Sequence, residues 1–281
     1  MVIVFALSAA VLYGGADFLG GAVSRRTRAL SVLTVSAPVG AILLLAAALA
    51  AGGPVRAAGL PWAVGAGAAG GVGLIMFYVG LAAGPMRVVA PVSALVSTVL
   101  PLGVAVASGE RPGPLVYAGG IVCVAATALV STEAGGRGRP SARPARGFAY
   151  AVGAGLAFGL FFLFLRNAGV SGVLWPSAVS RVTGAVIMIG VAAFMGAPPA
   201  WRGATPWLLT GVIASGLLDA TANACYLLAT QAGLFGIAVV LTSLYPAITV
   251  LLARLVLGER LRPVQLAGLV LAVAGIALVS G

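Results

Sequence analysis

Four charged side chains sit inside long apolar stretches of this chain: Asp17, Arg181, Asp219 and Arg254. A carboxylate placed at membrane depth costs about 2.5–3.5 kcal/mol on insertion scales, so it is paired, or faces water, or binds something. The chemistry open to such a group is reversible capture of a proton or a cation. A guanidinium in the same setting either neutralises an acid or receives an anionic ligand. Asp17 lies in the stretch YGGADFLGG, about fifteen residues into the first apolar segment. Arg181 stands about two turns inside its own segment, whereas Arg254 is near enough to a segment end to extend its head to the interface.

The neighbours of these groups fall at helical spacing. Tyr13, Asp17, Gly20, Gly21 and Ser24 share one face, with the glycines allowing close approach of a helix or a ligand. Asp219, Asn223, Tyr226 and Thr230 form a second polar stripe, read either as a water-facing wall or as inter-helix bonding with Arg181. Asp17 is thus the candidate proton or cation site. Tyr13, Tyr78, Arg181, Asp219, Asn223 and Tyr226 are the candidate substrate contacts. Pro91, Pro101 and Pro246 interrupt helical hydrogen bonding within apolar segments and are candidate gates, or else fixed bends.

The elements that must position these residues are membrane helices. The chain is 61% hydrophobic and 7% charged, too poor in charge to build a soluble surface. Crossing about 30 Å of hydrocarbon at 1.5 Å per residue takes about 20 residues of helix. Stretches of that kind recur near 2–23, 29–51, 60–82, 88–108, 114–132, 148–168, 173–195, 206–230, 235–257 and 263–280. The apolar runs are continuous and lack the alternation of barrel strands. The expected fold is therefore an all-α integral membrane bundle of ten helices.

Composition also excludes classes. The net charge of +11 comes from arginines in the connections and not from a basic soluble face, which speaks against nucleic acid. With no His, and with Cys123 and Cys225 both inside apolar segments, a metal site, a cofactor or a disulfide is not expected. No Gly-rich phosphate loop with its Lys occurs, so ATP coupling within this chain is not expected. A cleaved signal peptide is likewise not expected, since no basic region precedes the first apolar segment.

The chain repeats itself. Shifted by 149 positions, 84–131 aligns with 233–280 without a gap, and GERPGPLVYAGGIVCVAATALVS matches GERLRPVQLAGLVLAVAGIALVS at 12 of 23 positions. Farther upstream the offset is 145, so helix 8 carries about one extra turn relative to helix 3. The expected division is a first repeat at 1–132, a Gly/Pro/Arg-rich linker at 133–147 and a second repeat at 148–281. Five helices per half invert one copy relative to the other, an arrangement common among secondary transporters. Neither acid recurs: Phe162 stands where the first repeat has Asp17, and Gly70 or Leu74 where the second has Asp219.

The paired turns Gly109-Glu110-Arg111 and Gly258-Glu259-Arg260, each followed by a Gly-rich last helix with Gly119-Gly120 or Gly268, resemble the EamA family of the drug/metabolite transporter superfamily. That resemblance implies two inverted five-helix repeats in the bacterial inner membrane and no enzymatic activity. It further implies alternating-access transport of small organic solutes such as amino acids, metabolites or drugs, most often outward. A second, narrower resemblance joins ADFLGGAVSR to the first helix of the small multidrug-resistance exporters, with Asp17, Gly20 and Arg25 at the matching places. In those exporters the acid, a Glu where this chain has Asp, binds cation and proton alternately. The expected cavity is central, formed by helices 1, 3, 4, 6, 8 and 9, and its partners are lipid, a small solute and a proton. Uniport or import by the same fold, and a non-transporting lipid-handling or accessory scaffold, are the competing readings. Glu110 and Glu259 are expected to be structural, paired with Arg111 and Arg260. Alternate connections hold eleven arginines against three, which places the linker side in the cytoplasm and both termini outside; the family resemblance implies the reverse.

Overall fold

The computed structural model describes residues 1–24, 26–27, 29–83, 86–111, 113–130, 144–196, 205–258 and 262–280. Among these every regular element is helical. The first half holds α1 (Val2–Ser24), α2 (Ala29–Ala51), α3 (Leu60–Ala83), α4 (Met86–Ala107) and α5 (Pro114–Val130). The second holds α6 (Pro144–Ala168), α7 (Leu174–Phe194), α8 (Pro206–Ala232), α9 (Phe235–Thr242), α10 (Tyr245–Leu257) and α11 (Pro263–Ser280). Among the described residues nine spans are long and apolar enough to cross a bilayer, α9 and α10 together making one of them, and α5 at 17 residues is a shorter apolar helix.

The ninth span departs from the single helix predicted over 235–257. It breaks at Ser243–Leu244, between α9 and α10, just before Pro246. Proline has no N–H for the carbonyl four residues back, and its ring crowds that carbonyl. The bared backbone finds other partners: Thr127 Oγ1 donates to the Ser243 carbonyl at 3.2 Å, and Ser243 Oγ donates to the Val240 carbonyl at 2.7 Å. Pro91 and Pro101 act differently, since α4 runs through both. The linker predicted at 133–147 falls mostly on 131–143, which lie outside the described residues, and α6 already begins at Pro144. The extra turn read from the repeat offset is present, α8 having 27 residues against 24 in α3.

The helix pairings carry the internal duplication into three dimensions. α3 packs on α6 as α8 packs on α1; α4 packs on α6 as α9 and α10 pack on α1; α3 meets α7 as α8 meets α2. Two pairs, α2 with α7 and α5 with α11, join equivalent helices of the two halves. This set maps onto itself when the halves are exchanged, which is what an inverted repeat with a pseudo-twofold axis requires.

Glycine sets the closeness of one of those seams. Apolar side chains gain little by leaving lipid for one another, so packing and close backbone approach must hold helices together in a bilayer. A Cβ on Gly119 of α5 would stand 2.9 Å from the Gly275 carbonyl oxygen of α11. One on Gly268 of α11 would stand 2.9 Å from the Val130 nitrogen of α5. These two glycines are the repeat equivalents noted in the sequence, and each meets backbone that cannot swing aside. Gly119→Val and Gly268→Val should each lower unfolding free energy by roughly 1–3 kcal/mol through overpacking. Thermal unfolding in nanodiscs measures this; unchanged melting in both variants would show that the seam has slack.

Candidate functional site

All helices cross in alternation, so their ends gather at two faces. One, the terminal face, carries residues 1–2, 52–59, 108–111, 113, 169–173, 232–235 and 280. There Gly59 N–H donates to Ser171 Oγ at 2.9 Å, and Ser171 Oγ donates to the Arg56 carbonyl at 3.0 Å, tying the halves together. Glu110 adds a second tie. It accepts the Phe235 and Gly236 N–H groups at the start of α9, both at 2.9 Å, and lies 3.8 Å from Arg166, whose guanidinium rests over the Phe235 ring. Glu110 is therefore structural, as the sequence suggests, but its partners are Arg166 and a helix N-terminus rather than Arg111. A carboxylate suits that place because α9 presents unpaired N–H groups and the positive end of its dipole. Glu259 and Arg260 lie outside the described residues.

From the opposite face a cavity of about 930 Å³ reaches into the bundle. Its rim includes Ser24, Val130, Leu257 and Gln265, the residues at or near the ends of α1, α5, α10 and α11. Its inner end includes Tyr13, Arg181, Asp219 and Tyr245. Helices α1, α3, α4, α6 and α8 line it, together with α10, the second part of the predicted ninth helix, and α2 and α7 do so as well, through Ser36, Ser180 and Arg181 among others.

Asp17 faces this cavity and is exposed to it. Among the described residues no hydrogen bond or ion pair holds its carboxylate. Its electrostatic neighbours are Asp219, Tyr78 and Tyr245, two of which are tyrosines on other helices. Arg25, the basic residue of the narrower resemblance, lies outside the described residues.

Arg181 and Asp219 are an ion pair, Nη1 to Oδ2, partly open to the cavity. Arg181 Nη2 also donates to the Asp219 main-chain carbonyl at 3.1 Å. Asn223, one turn farther along α8, sits between Arg181 and Tyr13. A guanidinium offers donors only, so the amide oxygen belongs on its side and the amide NH₂ toward the Tyr13 oxygen. The result is a polar chain from α8 and α7 across to α1, closing the cavity at its inner end. Ser215 Oγ reinforces the α1–α8 contact by donating to the Ala16 carbonyl at 2.8 Å.

Two sequence-predicted contacts are corrected by this geometry. Asn223 is fully buried behind the ion pair, and Tyr226 is fully buried with its hydroxyl donating to the Phe162 carbonyl at 3.1 Å. Neither lines the cavity; of the stripe on α8 only Asp219 does. The stripe is polar because it is bonded within the bundle, the alternative that spacing alone left open. Tyr13, Tyr78, Arg181 and Asp219 do line the cavity, as do Pro246 and Asp17. Pro91 and Pro101 are buried within α4 and do not. Arg254 is exposed in the last turn of α10, where a cation suits the helix C-terminus.

Sequence reasoning missed the aromatic wall. Phe158, Phe161 and Phe162 of α6 line the cavity, with Phe162 edge-on to Tyr13 at 6.4 Å between ring centroids. Their signal was present in GLFFLFL, where it reads equally as lipid-facing surface. Phe162 is also the repeat equivalent of Asp17, so the two halves face the same space with an acid on one side and a ring on the other.

Residues 145–281 match the profile of the EamA-like transporter family. The second half of the chain is thus similar to the EamA-like transporter family. Family members are membrane transporters of the drug/metabolite type, and nothing in the family points to catalysis. One solved crystal structure, described simply as that of a protein, superposes with a TM-score of 0.82 over 99% of this chain and 95% of its own, at 19% identity. At that identity the likeness shows the fold. No curated protein matches the sequence.

The polar closure of the cavity has a direct test. Arg181→Gln and Asp219→Asn should each destabilise the fold more than the double replacement does, because either alone strands its partner's charge. A double-mutant cycle on unfolding should return a coupling energy of roughly 0.5–3 kcal/mol. Additive effects would mean that the pair holds nothing together.

Proposed function

We propose that the chain is a secondary transporter exporting small organic solutes across a bacterial inner membrane by alternating access, with Asp17 as the group that takes up proton and cation in turn. The observation that carries this reading is a carboxylate without a partner among the described residues, on the wall of a large cavity open at one face. An acid in hydrocarbon with neither partner nor water is costly, so an unpaired one that persists beside an open cavity fits reversible occupation. A non-transporting scaffold needs neither the cavity nor an unpaired acid. The inverted halves supply two arrangements of similar energy: exchanging their conformations would seal the present opening and break the Glu110 and Ser171 ties on the terminal face. Pro246, at the helix break and on the cavity wall, is the hinge candidate; Pro91 and Pro101 lie inside the continuous helix α4.

In proteoliposomes, an imposed pH gradient should drive solute movement by the wild type. Asp17→Asn should retain the fold and lose at least nine-tenths of gradient-driven flux, roughly 1.4 kcal/mol or more of coupling. Wild-type proton dependence in that variant would remove Asp17 from the mechanism. The arginine count favours a cytoplasmic open face, where an exporter loads, against the orientation that the family resemblance implies. A reporter fused after Gly281 should then be active on the far side of the membrane; cytoplasmic activity would reverse this assignment.

A further inference from the structure

The charges on the cavity wall define the ligand more closely. Among the described residues three charged side chains line it: Asp17, Asp219 and Arg181. Arg181 is committed to α8 by the Asp219 carboxylate, by the Asp219 carbonyl at 3.1 Å, and by the Asn223 amide, which Tyr13 holds in turn. An anionic ligand would have to displace Asp219 from that guanidinium. Asp17, on α1, receives none of its donors. The wall as built therefore carries one uncompensated negative charge. Tyr78 and Tyr245 are its electrostatic neighbours, Phe158 and Phe162 line the same cavity, and such rings favour a cation with an apolar body.

We propose that the cavity selects organic cations bearing a single positive charge, and that Arg181 is the specificity-determining residue, because cancelling Asp219 leaves room for only one charge. This rests on the reading of the cavity as the transport site and adds the substrate class to it. Asn223 is the positioning residue: by fixing the guanidinium on α8 it keeps Asp17 free.

Binding to detergent-purified protein, by calorimetry, tests the idea with two probes of like body: benzyltrimethylammonium and para-xylylene-bis(trimethylammonium). The wild type should prefer the monocation at least tenfold. Arg181→Gln, with two free acids, should shift that ratio at least tenfold toward the dication. Arg181→Gln combined with Asp219→Asn should restore the wild-type preference. Asp219→Asn alone keeps Asp17 but releases Arg181 to neutralise it, so monocation affinity should fall at least tenfold; this arm decides the matter if Arg181→Gln does not fold. An unchanged ratio in Arg181→Gln, or undiminished monocation binding in Asp219→Asn, overturns the proposal. Wild-type protein that binds neither probe yet transports a neutral or anionic solute would sink the cation class and leave the transport reading intact. Monocation binding with the expected ratios but no flux in vesicles would do the opposite.

Discussion

Two carboxylates and one guanidinium share a cavity inside a bilayer protein, and the pairing of Arg181 with Asp219 determines what the remaining acid can do. In hydrocarbon such a pair is not a free gain in stability, since both ions lose water before they meet. Its value lies in direction. The guanidinium is drawn to α8, Asn223 and Tyr13 complete its bonds, and the inner end of the cavity is closed by polar contacts joining α1, α7 and α8. Asp17 is left on the open side of that closure. Remove the pairing, and the acid acquires a partner while the cavity loses its inner wall.

The inverted repeat explains how such a site is built and why it is not symmetric. The backbone obeys the exchange of halves closely enough that each of the most extensive inter-helix contacts has its mate. Glycines at equivalent places, Gly119 and Gly268, let the last helices of the halves meet along the seam. Side chains at the centre break the symmetry, Phe162 answering Asp17 across the cavity. Under the alternating access proposed above, such a backbone would present an asymmetric site to either face. On the terminal face Glu110 and Ser171 hold the present arrangement through a handful of hydrogen bonds, an amount that substrate binding can offset.

The bundle was legible in the sequence because its signals are long and redundant: ten apolar runs, a repeat of matched turns, and most charges gathered in the connections. The break between α9 and α10 was less so. Pro246 marks the place, yet Pro91 and Pro101 sit in equally apolar surroundings without breaking α4. What differs is tertiary, the Thr127 hydroxyl that takes up the Ser243 carbonyl from another helix. At the site, spacing placed Tyr13 and Asp17 on one face and found the Arg181–Asp219 partnership as one of two options. It could not say that Asn223 and Tyr226 turn inward, because a polar stripe bonded to neighbours and one facing water have the same period. Glu110 shows the same limit, its adjacent Arg111 being a nearer partner in sequence than the α9 N-terminus that it caps in space.

The account stands on Asp17 being wetted and unpaired in the folded protein. In a Cys123→Ala, Cys225→Ser background, Asp17→Cys treated with a water-soluble, membrane-impermeant maleimide reads this directly. The structure predicts labelling of the folded protein in sealed vesicles from the arginine-rich face, suppressed when solute occupies the cavity. A cysteine at that position that reacts only after unfolding, or only with lipid-soluble reagents, would place the side chain in packing or in lipid and contradict it.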